Sequence, residues 1–175
     1  MKNSNIMKNL STLFLLLFSM VISAQNYELS TLRIGEYKIF MKKEAAEKLA
    51  NKTFQKFDDY DAKNSVNYYG EKIELLGYGT YLSEAEQNVE TIQHLATKSK
   101  KFRTKSGMGV GSTKDELLNA YKNYPNYSVN QSWEENESKT TSFFRLTDID
   151  ARTELSLKLV NNTVVEVTIY VNEGC

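Results

Sequence analysis

The chain has 175 residues, with 22 basic and 22 acidic side chains, 11 tyrosines, and one each of proline, histidine and cysteine. That even balance excludes the basic excess expected of a nucleic-acid binder. One cysteine excludes an intramolecular disulfide, and one histidine leaves too few ligands for a typical zinc site.

Residues 1–24 read as a secretory signal. Lys2 and Lys8 supply positive charge, Leu10 to Ile22 is mostly apolar, and Ser23-Ala24 offers small residues for cleavage. The apolar run of about 13 residues is short of the roughly 18–20 that span a bilayer, so no stable membrane insertion is expected. No cysteine stands at the cleavage point to carry a lipid. The expected location is the bacterial periplasm or the medium. Without the first 24 of 175 residues, 151 remain, enough for one domain or two small ones. Removing Lys2 and Lys8 leaves 20 basic against 22 acidic residues, a net charge near −2.

After two short extended pieces, Leu32–Ile34 and Tyr37–Phe40, residues Lys42 to Asn51 predict a helix. Ala45, Ala46, Leu49 and Ala50 form its apolar side. Asn51 to Ser65 is polar, with Phe54 and Phe57 as pins to a core. Val66 to Leu76 predicts a strand pair around Gly70, and Gly77 and Gly79 mark a turn or bulge. Residues 83 to 96 are ambiguous. Ser83 and Glu86 resemble a capping box, and Ala85, Val89, Ile92 and Ala96 fit a helical face, yet the pattern also permits a strand.

Ser112 to Asn123 predicts a second helix, buried through Leu117, Leu118 and Tyr121 and stopped before Pro125. Asn126 to Lys139 is polar and holds Trp133. Three strands follow, at Thr141–Leu146, Glu154–Val160 and Val164–Val171, the last two joined by the turn pair Asn161-Asn162. Strict alternation in the last two predicts an antiparallel sheet with one wet face.

The Gly107-Met108-Gly109-Val110-Gly111-Ser112-Thr113-Lys114 run looks at first like a phosphate loop. Its lysine comes too late for a P-loop, and its glycines fail the dinucleotide spacing. The fitting account is structural. Glycines take tight conformations, Ser112 or Thr113 caps the helix, and Asp115 or Glu116 meets the free amides. No cofactor is expected.

This helix start, Gly-Val-Gly-Ser-Thr-Lys-Asp-Glu-Leu-Leu-Asn-Ala-Tyr, followed by Asn-Asn-Thr-Val-Val-Glu-Val-Thr-Ile-Tyr, resembles one known unit. It is the helix-plus-sheet unit of the beta-lactamase-inhibitor-protein-like and small outer-membrane-assembly-lipoprotein superfamily. The resemblance is good over 106–175 and faint over 30–96. It implies tandem copies, a strand at 89–95 and no catalytic residues. The chain lacks both the paired cysteines of the inhibitor proteins and the lipid-attachment cysteine of the lipoproteins. Overlaying Ala46 on Leu117 gives an offset of 71, and overlaying Val89 on Val164 gives 75, which points to a duplication. The expected fold is therefore α+β, with two tandem units, each a short helical segment packed on an antiparallel sheet. The first spans 25–105 and the second 106–175.

No catalytic or metal-binding set emerges. A serine or cysteine triad would rest on His94 alone, and Asp58-Asp59-Tyr60-Asp61 lacks the full calcium-loop pattern. Cys175 suits an intermolecular disulfide or a modified thiol, or simply a frayed terminus. Two groups remain as a binding surface. Tyr68, Tyr69, Tyr78 and Tyr81 would place aromatics on a sheet face, as interfaces favour. Lys98, Lys100, Lys101, Arg103 and Lys105 form a basic run that suits an anionic polymer or a solvated linker. The expected function is an exported, non-enzymatic module that binds another envelope or secreted protein. The alternatives are an envelope hydrolase with an unrecognised carboxylate pair and an anionic-polymer binder through 98–105.

Overall fold

Alternating apolar and polar residues dominate the folded chain, and strands take 49% of it against 13% in helix. The computed structural model describes residues 26–56, 64–80, 89–132 and 139–172, with only the backbone at 78–80. The signal segment, Phe57, Asp58–Asp61, Tyr81, the Ser83 capping box, Trp133 and Cys175 lie outside the described residues. The elements in chain order begin with β1 (Arg33–Ile34), β2 (Tyr37–Lys38), α1 (Lys43–Ala50), β3 (Asn64–Tyr68), β4 (Glu71–Thr80) and β5 (Val89–Thr97). They continue with α2 (Lys114–Tyr121), β6 (Tyr127–Gln131), β7 (Thr141–Asp148), β8 (Thr153–Val160) and β9 (Thr163–Val171). Among the described residues no helix is long and apolar enough to cross a membrane.

The expectation of two tandem helix-on-sheet units in an α+β fold is overturned. Strands from both halves join one antiparallel sheet of seven strands, in the order β3-β4-β5-β9-β8-β7-β6. β1 and β2 form a separate pair. The helices, of eight residues each, are small additions to a mostly β fold. The stretches that overlay in sequence, around Val89 and Val164, belong to β5 and β9, which are neighbours in this sheet. Both are central strands with apolar residues at spacing two, so they read alike.

Asn161 and Asn162 both take positive φ, 51° and 62°, as a two-residue hairpin turn between twisted strands requires. Tyr69 and Gly70 do the same between β3 and β4, at 50° and 88°. A bulge at Leu76/Gly77 falls where the glycines of β4 predict irregularity. The ambiguous segment is a strand over its described part, β5. β6 lies in the stretch that sequence alone leaves as polar loop. It is an edge strand, paired only with β7 and exposed along most of its length.

One face of the sheet carries the core. Ile73 and Leu75 (β4), Leu95 (β5), Val167 and Ile169 (β9), Leu155, Leu157 and Leu159 (β8) and Phe144 (β7) are all buried there. Ala46 of α1, Leu117 and Tyr121 of α2, and Phe102 and Val110 belong to the same cluster. α1 buries less than its sequence predicts, because Ala45 and Leu49 are exposed.

α2 begins as its sequence predicts. Thr113 accepts from the Glu116 amide at 3.3 Å, and Glu116 accepts from the Thr113 amide at 2.7 Å, a reciprocal capping box. The glycine run before it docks on the start of β9, where the Gly111 amide donates to the Val164 carbonyl at 2.8 Å. A side chain at Gly109 would stand 2.4 Å from the Phe102 carbonyl oxygen, so only glycine allows that approach.

Candidate functional site

The β3–β4 hairpin brings an aromatic corner together. Tyr27, Tyr37, Tyr68, Tyr69 and Phe102 pack together, edge-on except for the tilted Tyr68–Phe102 pair, the closest being Tyr68 and Tyr69 at 4.7 Å between ring centres. Tyr68 is buried at 7% exposure and bonds the Asn26 carbonyl through its hydroxyl at 3.1 Å. Burial pushes its phenol up to about 12. It belongs to the core of this corner. Tyr69 is the outward member, 49% exposed. The turn fixes its direction, since the Gly70 amide donates to the Asn67 side chain at 2.7 Å. Tyr78 pairs with Thr91 through its backbone, and Tyr81 lies outside the described residues.

The basic run does not present one face. Lys98 lies 3.7 Å from Glu166, and Lys101 lies 2.9 Å from Glu71. Arg103 turns inward and donates to the Val110 carbonyl at 2.9 Å. Lys100 and Lys105 are exposed. Lys101 also stands 5.4 Å from the centre of the Tyr27 ring, which joins the run to the aromatic corner. Its Glu71 partner is held below the usual carboxylate range, first by the Ser99 hydroxyl and then by Lys101. The outer side of this corner therefore shows Tyr69, Lys101 and Glu71 together.

A second constellation lies on the sheet face turned away from the core. The strand register aligns Leu76, His94, Tyr170, Glu154 and Thr147 across five strands. Glu154 is nearly buried and accepts from the hydroxyls of Tyr170 and, at 3.2 Å, Thr147. Arg145 Nε lies 3.2 Å from the same carboxylate, though its N–H is not aligned on an acceptor. The Arg145 guanidinium and Lys158 both lie over the Phe143 ring, at 5.0 and 5.8 Å. Burial and then the Glu154 carboxylate push the Tyr170 phenol up to about 12. This Tyr170–Glu154–Arg145 network satisfies its own carboxylate, so it orders the face and offers no free nucleophile or base.

Sequence reasoning missed this row. Its signal was available, because period-two alternation in β8 and β9 puts Glu154, Ser156 and Lys158 on one face with Thr168 and Tyr170. A third feature was also missed. Phe40 holds a positive φ of 64° in the turn after β2 and lines an open groove of about 530 Å³ with Ile149, Arg152 and Val171.

Glu71 and Glu116 are both held below their ordinary values, whereas a general acid needs a raised one. Among the described residues no group of three or more His, Cys, Asp or Glu is placed to hold a metal. No family model, no curated protein and no solved structure matches the chain.

Proposed function

We propose that the chain is an exported binding module without catalytic activity, which engages another protein of the cell envelope through the corner formed by Tyr69, Tyr27, Lys101 and Glu71. The observation that carries this reading is Tyr69, a large aromatic half exposed on a rigid hairpin tip, beside a paired lysine and glutamate. A tyrosine with few rotatable bonds in that setting is a typical interface anchor. The resemblance over 106–175 and the signal-like first 24 residues support the same reading. An anionic-polymer role for residues 98–105 is weaker, because Lys98 and Lys101 are ion-paired and Arg103 is spent on a carbonyl.

The test uses a photo-crosslinking residue in place of Tyr69, with a control at Ser128 on the far edge strand. The expected result is a defined protein adduct from position 69 in whole cells, absent from position 128 and lost with Lys101→Glu. Equal labelling from both positions, or none from either, overturns the reading.

A further inference from the structure

The two parts of the sheet are joined by a short seam. β5 and β9 pair over four rungs only, from His94↔Tyr170 to Thr97↔Val167. The seam stops at His94 for a visible reason. Gln93 is skipped in the β4–β5 register, and Ile92 turns its backbone to a different partner. The Ile92 carbonyl accepts from the Phe40 amide at 2.8 Å, and the Ile92 amide donates to the Met41 carbonyl at 2.9 Å. His94 is thus the end rung, where a ladder frays first.

The imidazole of His94 points to the face away from the core, between Leu76 and Tyr170 in the register. Its Nε2 is buried and has no hydrogen-bond partner. A groove of about 360 Å³ runs beside it, lined by Asn64, Ser65, Lys72, Glu74, Leu76 and Ala96. The charged and titratable groups around it come from every neighbouring strand. β4 brings Lys72 and Glu74, β9 brings Glu166 and Tyr170, Lys98 follows β5, and Glu154 of β8 holds the Tyr170 hydroxyl. Each of these has a partner already. Lys72 lies 2.7 Å from Glu74, and Lys98 lies 3.7 Å from Glu166. None of them stands within hydrogen-bond distance of Nε2 in the closed seam, so a second proton on the ring has no acceptor in reach there.

We propose that His94 makes the β5–β9 seam acid-sensitive, so that its protonation loosens the end rung and lets β5 separate locally from β9. Neutral imidazole tolerates the buried site, whereas an imidazolium must gain water or an acceptor for Nε2–H. The nearest source of both is the groove, which His94 itself lines. Burial keeps the folded-state proton affinity of His94 below its ordinary value near 6.5, and Glu166 and Glu74 offset part of that. The sign follows from linkage. The opened seam binds the proton more tightly than the closed one. Closed-state stability is complete above about pH 6.5 and declines as pH falls toward the depressed value.

His94 is the single histidine of the chain, so its ring signals in a proton titration are unambiguous. The experiment combines that titration with amide hydrogen exchange at about pH 7.5 and about pH 5, expressed as protection factors. The expected result is a midpoint below the ordinary histidine value. Protection at residues 94–97 and 167–170 should fall by up to about tenfold per pH unit, while the β7–β8 ladder changes less. His94→Gln should hold seam protection constant over that range. If this variant does not fold, the wild-type data decide alone. A midpoint at or above the ordinary value, a loss of protection spread evenly over the sheet, or the same acid response in His94→Gln would each overturn the proposal.

Discussion

The Tyr170 hydroxyl donates to the Glu154 carboxylate across adjacent strands, and that carboxylate also takes the Thr147 hydroxyl and lies against Arg145. Three strands are thus tied on the face away from the core by one nearly buried acid. The two ends of the network differ in what their removal leaves behind. Glu154→Ala strands Arg145 and two hydroxyls without their acceptor and should lower stability by about 2–4 kcal/mol. Tyr170→Phe removes one donor from a carboxylate that keeps two partners and should cost about 1–2 kcal/mol. Urea unfolding of both variants gives the ordering, and equal losses would show that the network does not act through Glu154.

The cap of α2 gives a pH prediction. Hydrogen bonds from the Thr113 amide and then its hydroxyl hold the Glu116 carboxyl below its ordinary value of 4.5. A depressed folded-state value means stability present above that ordinary value and lost as pH falls below it. Thr113→Ala should cost about 1 kcal/mol at neutral pH. It should also flatten this part of the acid response, as thermal melts across the acid range will show.

Two glycines separate crowding from conformation. At Gly109 an added methyl meets the Phe102 carbonyl oxygen and the Arg103 guanidinium, at 2.4 and 2.6 Å. Gly109→Ala should therefore destabilise by about 1–3 kcal/mol through overpacking. At Gly70 nothing lies within 4 Å, and only the positive φ of 88° opposes a side chain. Gly70→Ala should cost about 1 kcal/mol. Chemical denaturation that places Gly70→Ala below Gly109→Ala would contradict the assignment.

The adjacent tyrosines of the β3–β4 hairpin should behave as opposites. Tyr68→Ala opens a hole among Tyr27, Tyr37 and Phe102 and should cost about 3–5 kcal/mol. Tyr69→Ala removes an outward ring that still touches Tyr68 and should cost only about 1 kcal/mol in the same unfolding assay. Tyr69 should instead carry the crosslinking phenotype.

What the sequence made legible was local. Period-two alternation located β7, β8 and β9 to within about two residues at each end, and the Asn161-Asn162 and Tyr69-Gly70 turns confirm the hairpins. Ser112-Thr113 followed by Asp115-Glu116 marked the helix start, and the structure settles the cap on Thr113 and Glu116. What it hid was pairing between distant strands. Nothing in the β9 sequence states that it lies between β5 and β8, because a central strand shows the same alternation whichever neighbours it has. β6 escaped notice because Tyr127-Ser128-Val129-Asn130-Gln131 buries almost nothing, so no apolar period marks it. Of the residues read as a binding surface, Tyr69 and Lys101 each stand against the Tyr27 ring, while Tyr68 is core and Arg103 turns inward. The sequence lists tyrosines and lysines alike, and only the hairpin turn decides which of them faces solvent.

The placement of β9 also has a consequence for how the chain folds. It follows every other strand in the sequence, yet its backbone fills the gap between β5 and β8. Until residues 163–171 have been synthesised, the long edge of β8 and the four-residue edge of β5 stay unpaired beside apolar side chains. Such edges invite pairing with other chains. Closure must therefore wait until β9 has been made and draw together residues seventy or more positions apart, a slow step of high contact order. A chain that lacks β9 therefore exposes strand edges that the complete sheet conceals, which makes loss or delay of this one strand the change expected to promote aggregation most.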